Sequence, residues 1–216
     1  PRDAADAGQL PEKLVPGFQG GHITHRVIGP PARHPLLWKL WYDVRIPAVL
    51  RRFRPDVFFS PDGICSLSAT VPQVLVIHDL AYLHFPGALP GFQQRYYRNQ
   101  TPRFIRKAAR IITVSEFSRQ DILRHYPQAQ GKIDVVPNAA DDAFRPLDWH
   151  EREAVKEKFT GGMEYFIYTG SIHPRKNLLN LLRAFSAFKK RQKTGMKLVL
   201  AGRLAWQHEA FTEALS

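Results

Sequence analysis

Tyr168 to Leu182 reads YTGSIHPRKNLLNLL. An apolar run stops at Gly170, then come Pro174 and the adjacent cations Arg175 and Lys176, and a leucine-rich run follows. Upstream, EYFIYTG (Glu164 to Gly170) is rich in aromatic and β-branched residues and reads as a strand. Downstream, Leu178, Leu181, Leu182, Phe185 and Phe188 recur at helical spacing and mark one buried helix face. MKLVLAG (Met196 to Gly202) supplies a second strand, so the stretch is the crossover of a βαβ unit. Its loop has two readings. In parallel α/β units ligands bind at the carboxyl ends of strands, and the following helix presents free N–H groups and a positive dipole end. A diphosphate suits that setting, with Arg175 as a planar fork and Lys176 as a point charge. Alternatively, Pro174 shapes a turn and both cations are solvated. The loop lacks the glycine-rich phosphate fingerprint that would decide between them.

The same alternation runs through the rest of the chain. HITHRVI (His22 to Ile28), DVFFS (Asp56 to Ser60), QVLVIHD (Gln73 to Asp79), RIITVS (Arg110 to Ser115) and KIDVVPN (Lys132 to Asn138) read as strands. Between them lie helical patterns. LLWKLWYDVRIPAVLRRF is expected to kink at Pro47, and the basic, aromatic Leu89–Arg110 stretch to be interrupted at Pro102. SEFSRQDILRHY pairs Ser118 with Asp121 at the spacing of a capping box. From Asn138 to Gly162 the texture turns loop-rich and then charged, and the first twenty residues read as a loop or frayed end. Short strands alternating with amphipathic helices predict an α/β fold with mostly parallel sheets. One βαβ unit after the 138–163 linker is too little to bury a core alone.

Composition narrows the function classes. Lys plus Arg is 31 against 19 Asp plus Glu, a formal charge of +12, which favours polyanionic partners such as phosphorylated ligands, acidic lipid headgroups or nucleic acid. RRFR, RFIRKAAR and KKRQK carry much of it within helical patterns, where solvated helix faces are the plainer reading. A single cysteine, Cys65, excludes an intrachain disulfide framework and suits a reducing compartment. No run is long and apolar enough to read as a membrane span.

Further candidates sit at strand ends. His78 and Asp79 close VLVI, where a histidine could bond a ligand hydroxyl or stabilise developing charge, or sit satisfied beneath a loop. Ser115 and Asn138 end later strands and are candidates for lining the same cleft, although capping and turning are the commoner tasks there. The spacing of His78 and His84 does not suit a shared metal, so no metal ligand is assigned. RYYR (Arg95 to Arg98) could stack bases, touch lipid headgroups or simply pack, but no recognition module accompanies it, which disfavours nucleic acid.

VLVIHDLAYLHFP, AARIITVSEFSRQDIL, KIDVVPNAADDAFRP, YTGSIHPRKNLLNLLRAF and KLVLAG occur in that order. Together they resemble the glycosyltransferases of family 4, the group 1 transferases of the GT-B fold, over roughly Gln73 to Trp206. The resemblance implies two facing Rossmann-like domains: an acceptor domain over 1–137, read as lacking its own start, a linker over 138–163, and the start of a nucleotide-sugar domain over 164–216, truncated after its first βαβ unit. It implies a retaining, metal-independent hexosyltransferase without cofactor. Mannose is the suggested sugar, and the acceptor a glycan, lipid or polysaccharide precursor. A cytoplasmic location follows, with peripheral contact at the inner face of an anionic membrane as an extension. By resemblance Lys176 matches the diphosphate-binding lysine, His78 the histidine beside the donor sugar, and Gly170 the close-approach glycine, with Arg175 in the PRK phrase. Ser171 stands where many members carry an arginine, and Ala139 where PNG is frequent. The N-terminal glycine-rich loop is not evident, and the paired-glutamate motif is expected beyond Ser216, so the chain reads as a fragment with little activity alone. The competing class is a basic membrane-surface or nucleic-acid-binding protein without catalysis.

Overall fold

Gln73–Val76 buries Gln73, Leu75 and Val76 and half-buries Val74, as a strand covered on both faces should. It is β2 of a four-stranded, all-parallel sheet in the order β1-β2-β3-β4, with β1 at Phe58–Ser60, β3 at Arg110–Thr113 and β4 at Ile133–Val135. The computed structural model describes residues 27–29, 35–87, 89–204 and 209–214. The expected N-terminal loop lies outside these, as does the HITHRVI strand apart from Val27 and Ile28, which are in neither helix nor strand. The chain divides into two compact units after Asn138.

In the first unit the segment at Pro47 is instructive. The helix α1 (Pro35–Leu40) passes through a π-turn at Trp41–Arg45 into α2 (Ile46–Phe53). Pro47 has no N–H, so the carbonyl four residues back, on Asp43, needs another donor. The Ser68 hydroxyl supplies it, while Ile46 N–H reaches back to Trp41 in the wider turn. The expected kink is therefore a π-turn. Pro102, by contrast, interrupts nothing. Helix α4 runs unbroken over Gly91–Lys107 with the proline inside it, because buried Thr101, Phe104 and Ile105 on its inner face hold it against the sheet.

Two further connections set the strand ends. The short α3 (Ala81–His84) follows β2, and α5 (Glu116–His125) follows β3. The capping assignment shifts by one turn. Ser115 is the N-cap of α5, accepting from Ser118 N–H at 3.1 Å, and Asp121 lies inside the helix. Both Ser115–Ser118 and Ser118–Asp121 have the right spacing; the end of β3 at Thr113 decides which serine meets the free N–H groups. Leu75, Ile105, Ile111 and Ile122 are fully enclosed between sheet and helices. Beside them Gln73, 1% exposed, bonds Ser66 twice: its carbonyl accepts from Ser66 N–H and its amide donates to Ser66 C=O.

The second unit begins with α6 (Trp149–Thr160), whose capping box joins Asp148 and Glu151 and which ends at left-handed Gly161. Strands β5 (Tyr165–Thr169) and β6 (Lys197–Ala201) pair in parallel around α7 (Leu178–Gln192), followed by α8 (Glu209–Glu213). The expected face of α7 is inward in graded fashion. Leu178 is buried with Ile172 and Phe211. Phe185 and Phe188 are half-buried and pack edge-on against Phe166 of β5.

Candidate functional site

In the first unit, His78 and Asp79 follow the carboxyl end of β2, and Asn138 lies beyond that of β4. The strand end is clamped from its neighbours. Thr113 donates its hydroxyl to Ile77 C=O at 2.7 Å, and Ile77 N–H reaches Ile112 C=O. Ser118 donates to His78 C=O at 3.1 Å. The backbone of His78 is thus fixed while its imidazole is exposed, an arrangement that presents a ring nitrogen at a strand terminus without mobile support. Asp79 is exposed too, but its carboxylate accepts from Ala81 N–H and starts α3. Ser115 is half-buried and occupied as a helix cap. Asn138 is exposed. Of the four, Asp79 and Ser115 are engaged in starting helices, whereas the exposed side chains of His78 and Asn138 have no such local task among the described hydrogen bonds.

Two features here had no sequence signal. A cavity of about 440 Å³ opens beyond the carboxyl end of β1, lined by Trp38, Trp41, Tyr42, Tyr97 and Asp62. Trp41 Nε1 donates to Ile28 C=O at 3.0 Å, leaving its rings to form wall. Burial first, and then the Asp62 charge, push the Tyr42 phenol up to about 12, so it remains a hydroxyl. The second feature is His84. It does not meet His78 but Asp121 and His125 of α5.

The second unit holds Gly170, Ser171, Arg175 and Lys176 in one loop beyond β5. Gly170 adopts φ +142°, a backbone region disfavoured for side-chain residues. A Cβ at Gly202 would fall 1.7 Å from the Gly170 carbonyl oxygen, so the ends of β5 and β6 touch through bare backbone. Pairing resumes beyond the break as a parallel bridge between Ile172 and Leu204. Ser171 is half-buried and its carbonyl accepts from the Tyr168 hydroxyl. Pro174–Lys176 forms one 3-10 turn, capped by His173 accepting from Arg175 N–H. Asn177 then turns left-handed at φ 57°, which asparagine tolerates. The first turn of α7 has no side-chain cap, so its free N–H groups lie next in chain to the exposed cations Arg175 and Lys176.

Comparison with known proteins assigns the chain to a family. The family model "Glycosyltransferase Family 4" matches residues 4–144. The chain belongs to glycosyltransferase family 4. It is 25% identical over 181 residues to "O-antigen chain mannosyltransferase B" of Escherichia coli, a match covering 82% of this chain and 47% of that protein. Over 134 residues it is 28% identical to "Serotype-specific mannosyltransferase WbdA" of the same species, covering 59% of this chain and 16% of the relative. A third relative, "O-antigen chain mannosyltransferase RfbU" of Salmonella typhimurium, is 22% identical over 154 residues, 69% of this chain and 38% of the relative. The chain therefore spans less than half the length of each of these relatives. Among the described residues no helix is long and apolar enough to cross a membrane.

Proposed function

We propose that the protein transfers mannose from a nucleotide-diphosphate donor to a hydroxyl of a glycan or lipid-linked polysaccharide precursor, with retention and without a metal or cofactor in the transfer step. The observation that carries this reading is the Gly170–Lys176 loop: bare backbone at the strand end, then Arg175 and exposed Lys176, then a helix start without a side-chain cap. Such a junction supplies positive charge where a departing nucleotide diphosphate accumulates negative charge. Family membership supports the reaction class, and the three mannosyltransferase relatives support mannose as the sugar. His78, fixed by Ser118 and Thr113, positions or polarises the donor sugar. Lys176 is the principal diphosphate contact, with Gly170 admitting the close approach and Arg175 standing in for the family arginine absent at Ser171. The acceptor's sugar rings find stacking walls in Trp38 and Trp41 and a hydroxyl acceptor in Asp62.

In the full-length gene product, Lys176→Ala lowers mannose transfer about a hundredfold, the loss of a few kcal/mol of charge stabilisation. A radiolabelled donor and an O-antigen precursor acceptor make the measurement. Unchanged turnover removes the lysine from the mechanism; absence of transfer by the parent protein with any nucleotide-diphosphate sugar removes the reaction. The net charge of +12 further fits a peripheral enzyme on the cytoplasmic face of an anionic membrane. Vesicles rich in phosphatidylglycerol should then bind it at low salt and release it at high salt.

A further inference from the structure

We propose that His84, Asp121 and His125 form a binding site for a zinc-class divalent ion that fastens α3 to α5. The three ligand-type atoms lie within 4.8 Å of one another. His84 Nε2 stands 2.7 Å from Asp121 Oδ2, and His125 Nδ1 stands 3.3 Å from Asp121 Oδ1 and 3.0 Å from the Asp121 backbone carbonyl oxygen, a contact that an ion would displace. Each carboxylate oxygen therefore faces a different imidazole. Asp121 and His125 share one face of α5 at i and i+4, the helical spacing that brings two ligands together.

The carboxylate is the reason to expect an ion. The Asp121 side chain is 9% exposed, and among the described residues its ion-pair partners are these two imidazoles; no lysine or arginine reaches it. An enclosed carboxylate is stabilised by pairing and hydrogen bonds, and a divalent ion supplies full opposite charge where a neutral imidazole supplies only a hydrogen bond. Two ring nitrogens and one carboxylate oxygen are the donor set of zinc and its neighbours, while magnesium and calcium take oxygen alone. Tetrahedral binding at about 2.0–2.1 Å would set the donors roughly 3.3 Å apart. His84 must withdraw on the order of half an ångström from its hydrogen bond to meet that geometry. Its side chain is 41% exposed and has room to do so. Solvent at the exposed rings completes the fourth position with water.

The ion takes no part in sugar transfer. Its effect is positional: His84 lies in the helix that follows the His78 loop, and Ser118, which holds the His78 carbonyl, lies one turn before Asp121 on α5. Loading the site fixes both sides of that loop.

The test uses the tag-free chain, stripped with a chelator and titrated with Zn²⁺ in a calorimeter, with Co²⁺ as the spectroscopic probe. One equivalent of Zn²⁺ should bind, raise Tm by mass action and, as Co²⁺, give visible absorption of four-coordinate type. Mg²⁺ should do none of this. His84→Gln keeps an N–H donor for Asp121 but removes the ligand nitrogen, and it should weaken binding at least tenfold while remaining folded by circular dichroism. Asp121→Asn should weaken it further. Absence of binding, preference for Mg²⁺, or equal binding by His84→Gln, which would place the ion on other histidines, each overturns the site.

Discussion

Gln73 shows how one polar side chain can hold a connection that has no regular structure. The segment from Pro61 to Pro72 joins two parallel strands without a helix, and its backbone must find partners elsewhere. Gln73 completes both groups of Ser66, and the Ser66 hydroxyl in turn accepts from Ala69 N–H. Gln73→Leu would bury both Ser66 groups unpaired, and we expect it to lower unfolding free energy by about 2 kcal/mol or more, read as a reduced urea midpoint at constant slope. Thr113→Val removes the donor to Ile77 C=O at the exit of β2. It should cost roughly 1–2 kcal/mol and also reduce transfer by the full-length protein, because His78 is the next residue. At this scale the sequence was partly legible. The polar ends of apolar runs flagged His78, Asp79, Ser115 and Asn138, since strand termini are visible as changes of composition. Which of these were already occupied was not visible. Ser115 caps a helix and Asp79 starts one, through bonds that depend on where the strand stops.

Elements were the most legible level, because periods of two and of 3.6 are properties of neighbouring residues. The six described strand patterns from DVFFS to MKLVLAG form strands, and both prolines lie within helical patterns. What failed was the effect of each proline, which depends on partners remote in sequence: Ser68 for Pro47, and the sheet for Pro102. Helix α6 is the converse case, with all of its start written locally. Asp148 and Glu151 form the capping box, Arg145 pairs with Glu151, and no residue of α6 is buried. The Arg145 hydrogen bonds, followed by the Asp148 N–H, hold the Glu151 carboxyl below its ordinary value of 4.5. A lowered folded value means that the stabilisation is complete above pH 4.5 and is lost as pH falls through the folded value. Protection factors of amides in the first turn of α6 should therefore fall on acidification through that range, and Glu151→Gln should show the lower protection already at neutral pH. Identical exchange in the two proteins would detach the helix start from this carboxylate.

For the whole molecule, the two units differ in how much they bury. The first encloses a cluster of fourteen buried residues around Leu75, Ile105 and Ile111, whereas the described part of the second encloses Ile172, Leu178 and Phe211. Phe166, Ile167 and Leu204 remain exposed in the second. The imbalance of the two cores was not readable in the sequence, because amphipathic periodicity marks a face without showing what covers it. The aromatic cavity and the His84 cluster were hidden for a related reason: His84 meets Asp121 across 37 positions of chain, and the cavity walls Trp38 and Tyr97 are further apart still. A smaller core should melt first. Cys65 distinguishes the two events. It is the chain's single cysteine, fully buried in the first unit, and burial pushes its thiol up to about 12. At pH 8 it should be unreactive while the first unit is folded, being both inaccessible and protonated. In a urea series, helix content measured by circular dichroism should fall in two steps, with thiol labelling following the second alone. If labelling instead coincides with the first loss of helix, the two units unfold together and the smaller core is not the weaker one.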